Sequence, residues 1–427
     1  MTDSAAVPPI ETPIDKRSAI SWCLYDWANS GFPAVITTFV FATYFTQGIA
    51  ETPETGTALW GNAMAVSGIL IALLAPAVGA ISDKAGPRKP FLAALTALCC
   101  VATAFLWFAE PDAAFIPLAL AGVIVATIGF EFSTVFYNAM LADVAPRRLW
   151  GRISGWGWGL GYAGGLVCLV FCLLAFIQTD TPLFGLGTEN AENVRATVVV
   201  VAVWYAVFCL PLFLFTPDRP ATGLTLRQSV NEGVATLIAT LKKIRDYKQA
   251  FRFLIARMIF TDGLNTLFAF GGIYAAGTFG MDVAEVIQFG IALNITAGLG
   301  AAGFAVLDDR IGAKPVITIS LLCLIALSFA ALMVDDKTAF FVIGLGIGAF
   351  LGPVQASSRS MMARLAPADL RTEFFGLYAF SGKATAFVGP LVLGWVTLAF
   401  DSQRAGMATI IVFLVVGLVL LQRVKKV

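Results

Sequence analysis

The sequence predicts an all-α polytopic membrane protein with twelve transmembrane helices arranged as two parallel six-helix halves. Three observations carry this prediction. The 427-residue chain is 58% hydrophobic and only 13% charged, with a mean hydropathy of +0.83, which leaves too little polar surface for a soluble protein of this length. Its apolar residues fall in runs of about 20 or more, the length at which a helix rising about 1.5 Å per residue crosses a hydrocarbon core about 30 Å thick. Three short motifs in the first half of the chain recur in the same order in the second.

Inside lipid the backbone must satisfy its own hydrogen bonds, so runs of this length are helices; barrel strands would be shorter and would alternate. The runs place helices at 19–48, 58–81, 90–109, 114–141, 151–177, 196–215, 251–279, 284–307, 314–334, 338–363, 373–399 and 405–422. Residues 1–17 are Pro-rich, mixed in charge and without an apolar stretch, and read as a disordered tail rather than a signal peptide. The first six helices form an N-terminal half over 18–215. Residues 216–250 break the pattern: they open with Pro217 and Pro220 and continue through Arg227, Lys242, Lys243, Arg245 and Lys248, a basic amphipathic linker expected at the membrane surface. The C-terminal half then runs over 251–427.

Alternate loops differ in charge. One set carries Lys84, Arg88, Lys89, Arg147, Arg148, Arg310 and Lys314, and shares its side with the linker and with Arg423, Lys425 and Lys426; the other is rich in acids, including Glu51, Glu110, Asp180, Asp282 and Asp335. The positive-inside rule puts the basic face, and with it both termini, in the cytoplasm. Short loops suggest a bacterial inner membrane.

Composition also excludes. A net charge of +1 gives no case for nucleic-acid binding, and the absence of histidine removes the commonest metal ligand and proton shuttle. The seven cysteines lie in apolar runs without a C-x-x-C pair; Cys168 and Cys172 share a helical face and read as small buried hydrophobes. No metal or cofactor is expected. No nucleophile–base pair suggests an enzyme. Gly159, Gly161 and Gly164 spell a nucleotide-binding fingerprint, but no strand precedes them. The wider run from Gly151 to Gly165 instead offers small-residue faces for close helix packing. Pro33, Pro211, Pro353 and Pro390 are expected to bend their helices. The expected partners are a small-molecule substrate, protons and the bilayer, with the chain a monomer.

The repeats fix the relation between the halves. Asp26-Trp27-Ala28-Asn29-Ser30 in the first helix is echoed by Asp262-Gly263-Leu264-Asn265-Thr266 in the seventh. Asp83-Lys84-Ala85-Gly86-Pro87-Arg88-Lys89 after the second is echoed by Asp309-Arg310-Ile311-Gly312-Ala313-Lys314 after the eighth. Leu141-Ala142-Asp143-Val144-Ala145-Pro146 after the fourth is echoed by Met362-Ala363-Arg364-Leu365-Ala366-Pro367 after the tenth. Parallel six-helix halves resemble the major facilitator fold, whose substrate site lies near the bilayer midplane between them.

Ionisable groups within membrane helices cost roughly 2.5 to 3.5 kcal/mol each on insertion scales, so they should line a cavity or pair with one another. Asp26, Glu131, Arg257, Asp262, Arg359 and Lys383 are such groups, with Asn29, Tyr137, Asn138, Asn265, Asn294 and Gln355 as polar companions. The expected substrate-binding set is Asp26, Asn29, Glu131, Tyr137, Asn138, Asp262, Asn265, Gln355, Arg359 and Lys383. The first half supplies carboxylates and the second supplies Arg359 and Lys383, an arrangement a zwitterion can span; the planar arginine fork suits a carboxylate. Without histidine, proton coupling must use carboxylates, with Asp26, Glu131 and Asp262 as candidates. Arg257, five residues earlier, is expected to hold Asp262. Trp22, Trp27, Phe130 and Tyr137 are read as an aromatic lining, which leaves room for an alternative cargo of drugs, siderophores or other amphipathic compounds. Asp83, Arg88 and Lys89, with their echo at Asp309 and Arg310, resemble the superfamily's signature loop, which implies a role in gating.

Finer features narrow the family. Tyr25-Asp26-Trp27-Ala28-Asn29-Ser30 with Phe32, then Phe136-Tyr137-Asn138-Ala139, Gln355-Ala356-Ser357-Ser358-Arg359-Ser360, Glu373-Phe374-Phe375-Gly376-Leu377-Tyr378 and Ser381-Gly382-Lys383 resemble the vacuole-effluxer-like family, a branch named for an autophagy-related fungal amino-acid exporter. The resemblance covers nearly the whole chain and implies export of amino acids or similar small metabolites. The chain departs from it at Gly86-Pro87, where family loops often carry more basic residues.

Overall fold

The computed structural model describes residues 14–179, 181–243 and 246–425. Twelve helices are long and apolar enough to cross a membrane: α1 (Lys16–Ile49), α2 (Pro53–Ala85), α3 (Lys89–Phe108), α4 (Ala113–Val144), α5 (Arg147–Ile177), α6 (Glu192–Phe215), α7 (Lys248–Phe279), α8 (Ala284–Ile311), α9 (Ala313–Met333), α10 (Lys337–Leu365), α11 (Arg371–Phe400) and α12 (Gln403–Gln422). No strand occurs among the described residues. Each predicted run is present, and several helices extend about a turn past the apolar edge. Caps fix several of the starts. The Thr52 side chain accepts from Thr55 N at the start of α2, Asp336 from Ala339 N before α10, and Ser402 from Ala405 N before α12; Asp282 and Glu285 form a reciprocal capping box at α8. Such polar side chains satisfy otherwise orphaned N–H groups and so fix helix ends that hydropathy alone misses.

The expected tail lies outside the described residues over 1–13, as do Asp180, Arg245 and Lys426. Asp15 accepts from Arg17 N and starts α1 at Lys16, inside the stretch read as tail. Between the halves, a linker helix (Leu226–Lys242) begins with a Thr225–Gln228 capping box. Its small face, Ser229, Gly233 and Thr240, is buried; a Cβ at Gly233 would lie 2.7 Å from Ile81 Cα of α2. Leu226, Val230, Val234, Ile238 and Leu241 are exposed on it.

Prolines act less uniformly than the sequence suggests. Pro33 opens a π-helical stretch, Phe32–Phe39, inside α1, while Pro211 and Pro353 sit inside α6 and α10. Pro76 inside α2 is a further one. Pro390 bends nothing: α11 breaks into turns at 384–387 and restarts as Val388–Phe400, so Pro390 falls in a first turn, where its missing N–H has no intrahelical partner to lose.

Within the first half α1 packs on α5 and α6, and α3 on α4 and α6; within the second α8 packs on α10, α7 on α12, and α9 on α10 and α12. Between halves, α2 packs along the Arg371–Lys383 part of α11, and α5 packs on α8 and α10. The Val388–Phe400 part of α11 packs on α12. Glycine permits these approaches. Gly151, Gly155 and Gly159 of α5 face α8, where added methyls would collide with Asp308 and Ala305 and crowd the Gly298 carbonyl; Gly157, Gly161, Gly164 and Gly165 face α1. Gly79 of α2 lies against the Thr372 carbonyl and Gly376 of α11 against the Ala75 carbonyl. The halves are therefore in backbone contact at the ends of α2, α5, α8 and α11 that carry the basic loops. This closes the basic face.

Gly86 follows α2 with φ of 99° and packs against the Pro220 carbonyl, which accounts for glycine at this position. We expect Gly86→Ala to lower stability by at least about 1 kcal/mol, because an L side chain strains at that φ. A thermal melt of the purified variant checks this, and an unchanged midpoint would contradict it.

Candidate substrate site and gate

The centre of the interface is built around Arg359. α10 carries it into the seam between halves, where it is 2% exposed. Its Nη1 donates to Asp26 Oδ2 of α1 at 2.9 Å and to Asn138 Oδ1 of α4 at 3.4 Å; its Nε donates to Ser154 Oγ at 2.9 Å and its Nη2 to the Ser154 carbonyl of α5 at 2.6 Å. The guanidinium also lies over the rings of Trp22, Tyr137 and Trp158, at 4.7, 5.5 and 5.7 Å from their centroids. A buried charge is tolerated only when paired and hydrogen-bonded, and here three helices, α1, α4 and α5, supply the partners. Gly157 makes room: a Cβ there would lie 2.6 Å from Asp26 Oδ2 and 2.9 Å from Arg359 Nη2.

Two further contacts cross the interface. Lys383 Nζ of α11 lies 2.7 Å from Glu131 Oε1 of α4, with both side chains partly exposed. Lys383 ends the inner segment of α11, immediately before the break. Tyr162 of α5 donates to Gln355 Oε1 of α10 at 2.6 Å. The structure thus brings together Asp26, Asn138, Tyr137 and Arg359, and separately Glu131 with Lys383.

Other expectations are corrected. Asp262 is not held by Arg257: Arg257 donates to the Tyr378 carbonyl and Ser381 Oγ, both at 2.7 Å, and stacks over the Tyr378 ring. Asp262 is buried at 3% exposure and makes no ion pair among the described residues. Its companion Asn265 is exposed, whereas Asn29, its echo in α1, is buried and accepts from Ser30 Oγ at 3.3 Å. The repeated motif therefore meets different surroundings in the two halves. The aromatic residues are mostly packing rather than lining. Trp22 is fully buried, donates to the Tyr137 carbonyl at 2.9 Å and stacks on the Tyr137 ring at 4.3 Å; Trp27 stacks on Trp204 and Phe130 on Phe32. Asn294 donates to the Gly290 carbonyl within α8.

On the basic face, Asp83 of α2 caps the start of α11: its Oδ1 accepts from Thr372 Oγ1 at 2.7 Å and its Oδ2 from Glu373 N at 2.9 Å. Arg88, 1% exposed, donates to Thr372 Oγ1 at 2.8 Å, to the Ala139 carbonyl at 3.2 Å and to Asp143, and lies 3.4 Å from Asp83. Lys89 turns inward and donates to the Phe213 and Thr216 carbonyls of α6. The echo repeats the geometry. Asp309 of α8 accepts from Arg152 N near the start of α5 at 3.1 Å, and its Oδ2 lies 3.4 Å from Arg152 Nε. Arg310 joins none of these pairs and is exposed. Its expected part falls to Arg364, whose Nη1 donates to Asp308 Oδ1 at 2.6 Å.

The sequence alone did not point to Ser154, Thr372 or Asp308, nor to the ion pairs that Asp143 makes with Arg88 and Arg364 makes with Asp308. Ser154 sat within the glycine run and read as one more small residue. Asp143 and Arg364 occupy equivalent places in the third repeated motif, which was the available signal.

Known proteins resemble this chain in sequence and fold. The chain is 27% identical over 414 residues to the Bacillus subtilis (strain 168) uncharacterized MFS-type transporter YxiO, covering 95% of this chain and 94% of that protein. It is 23% identical over 302 residues to autophagy-related protein 22 of Yarrowia lipolytica, covering 63% of this chain and 50% of that protein, so the matched stretch spans half the fungal chain. The solved structure of the major facilitator transporter FucP in the outward conformation superposes with a TM-score of 0.74 at 14% identity, covering 96% of this chain and 98% of that one, which establishes the fold. Residues 57–426 match the family described as vacuole effluxer Atg22 like, and with most of its length inside that match the chain belongs to this family of major facilitator transporters.

Proposed function

We propose that this transporter exports a small polar or zwitterionic metabolite, amino-acid-like in its charges, by alternating access coupled to protons. The observation that carries the reading is the pair of ion pairs across the interface, Asp26–Arg359 and Glu131–Lys383, at 2.9 and 2.7 Å. Each joins a carboxylate of the first half to a cation of the second. A zwitterion offers a carboxylate to Lys383 and an ammonium to Glu131, replacing the protein's own pair with two substrate contacts. Asp26–Arg359 is the more buried pair and holds the halves while the other exchanges. Protonating Glu131 would free Lys383 in the same way, so substrate and proton compete for one pair. The basic face is the cytoplasmic one in this reading, and the structure is the state closed to the cytoplasm. An amphipathic cargo has less support, since the aromatic residues that would line its site are packed on one another.

The test is a thermal-shift screen of the purified protein against amino acids, organic acids, sugars and amphipathic drugs. A ligand stabilises the state it binds by RT ln(1 + [L]/Kd), so millimolar concentrations report weak sites. We expect hits among zwitterions, abolished in both Glu131→Gln and Lys383→Gln with melting in the absence of ligand retained. Hits confined to bulky amphiphiles, or zwitterion shifts intact in both variants, would refute the proposal.

A further inference from the structure

We propose that the groove between α1, α5 and α8 is a binding site for an anionic phospholipid, whose phosphate sits on Lys16 and Arg152 and whose acyl chain runs toward Val167. The groove has a volume of about 890 Å³, and Asp26, Glu131, Arg359 and Lys383 are not among its lining residues. Its walls are apolar, and Ile20, Val167 and Leu299 are 60%, 47% and 68% exposed along it. On helices that cross a bilayer, such side chains face hydrocarbon. From Arg152 to Val167 the groove follows α5 for about 22 Å at the helical rise, more than the roughly 15 Å of hydrocarbon in one leaflet, so one acyl chain fits along it.

Charge settles which lipid. The cations lining the groove are Lys16 and Arg152, and both lie in the opening turns of helices that start at the basic face. Lys16 is exposed and makes no ion pair among the described residues. Arg152 approaches Asp309 through Nε at 3.4 Å, while its two terminal nitrogens donate to no acceptor among the described residues. Trp156, 45% exposed, lies 5.9 Å from that guanidinium, an aromatic at headgroup depth. The other polar groups of the groove are already engaged: Tyr162 donates to Gln355, and Asn294 to the Gly290 carbonyl. Lys16, together with the terminal nitrogens that Arg152 leaves uncommitted beside its Asp309 contact, places positive charge at the mouth of an apolar groove and matches a phosphodiester with attached chains. Because the groove straddles the α5–α8 seam, which Arg152 and Asp309 help to close, bound lipid favours the state closed on the basic face.

The experiment uses delipidated full-length protein in non-ionic detergent. Its melting is followed with phosphatidylglycerol, phosphatidylcholine of the same chains, glycerophosphoglycerol and inorganic phosphate. We expect phosphatidylglycerol to raise the midpoint by at least about 2 °C, phosphatidylcholine by less than half as much, and the two chain-free anions not at all. Lys16→Gln and Ala163→Trp, the latter filling the groove from an exposed position, should each remove the phosphatidylglycerol increment while leaving the lipid-free midpoint in place. Equal shifts from the two lipids, a full shift from either chain-free anion, or an increment that survives in either variant would overturn the proposal.

Discussion

Replacing Arg359 with glutamine is expected to reduce transport by at least about 100-fold and to destabilise the protein by about 3 to 5 kcal/mol, the usual cost of stranding one partner of a buried ion pair. Asp26 would lose its cation, Ser154 would lose the two bonds it accepts, and three aromatic rings would lose the guanidinium between them. Stability loss alone would not separate a structural clamp from a working part of the cycle. The double variant Asp26→Asn, Arg359→Gln does so. Neutralising both partners removes the uncompensated charge, so melting should recover most of the loss. Transport into proteoliposomes should stay low, because the pair that must be remade in each cycle is gone. Arg359→Lys keeps the charge but not the planar fork that reaches Asp26 and Ser154 together, and should sit between the wild type and glutamine. Full transport in Arg359→Gln would remove this pair from the mechanism.

Arg88→Gln should open the basic face. Arg88 neutralises Asp83 and Asp143 at once and braces Thr372 at the start of α11. Without it two carboxylates remain near one another in a closed seam, a penalty of about 3 to 5 kcal/mol that falls on the closed state, because opening admits water to both. A shift of that size evens out a two-state balance of similar depth and inverts one of about half that depth. Spin labels at Lys84 and Asp369, in a background with the native cysteines replaced, should report a longer-distance population that the wild type lacks. Arg219 also approaches Asp143, at 3.5 Å, so Arg88→Gln combined with Arg219→Gln should shift the population further. An unaltered distance distribution in both variants would show that glycine packing, not charge, holds the gate.

The loops of the basic face show how far repeated sequence can be trusted. The loops after α2 and α8 echo one another, and the structure keeps the equivalence at Asp83 and Asp309, each capping the opening turn of a helix in the other half. The equivalence fails five residues later. Lys314, the counterpart of Arg88, donates to the Gln422 and Val424 carbonyls, and the arginine that completes the second latch, Arg364, comes from a different loop. In the third motif Asp143 and Arg364 stand in equivalent places with opposite charge, so acid and base exchange roles between halves. Sequence repeats preserve position along a helix; which cation reaches which carboxylate depends on helix rotation.

The membrane class, the twelve helices, their order and the two halves were determined by the sequence itself, because hydrocarbon forbids unsatisfied backbone and each crossing needs its own uninterrupted apolar run. The same expense of placing charge in lipid made Asp26, Glu131, Arg359 and Lys383 visible as site candidates. Their partners were decided only by tertiary structure. Arg257 lay within reach of Asp262 along the chain yet turned to Tyr378 and Ser381, while Asp26 found Arg359 across 333 residues of sequence. The glycines of α5 announced close packing but not that one face meets α8 and the other α1. Spacing in sequence fixes which residues share a face of one helix. The neighbour that face meets, and hence the charge that neutralises it, is set by how two halves of a folded chain come together.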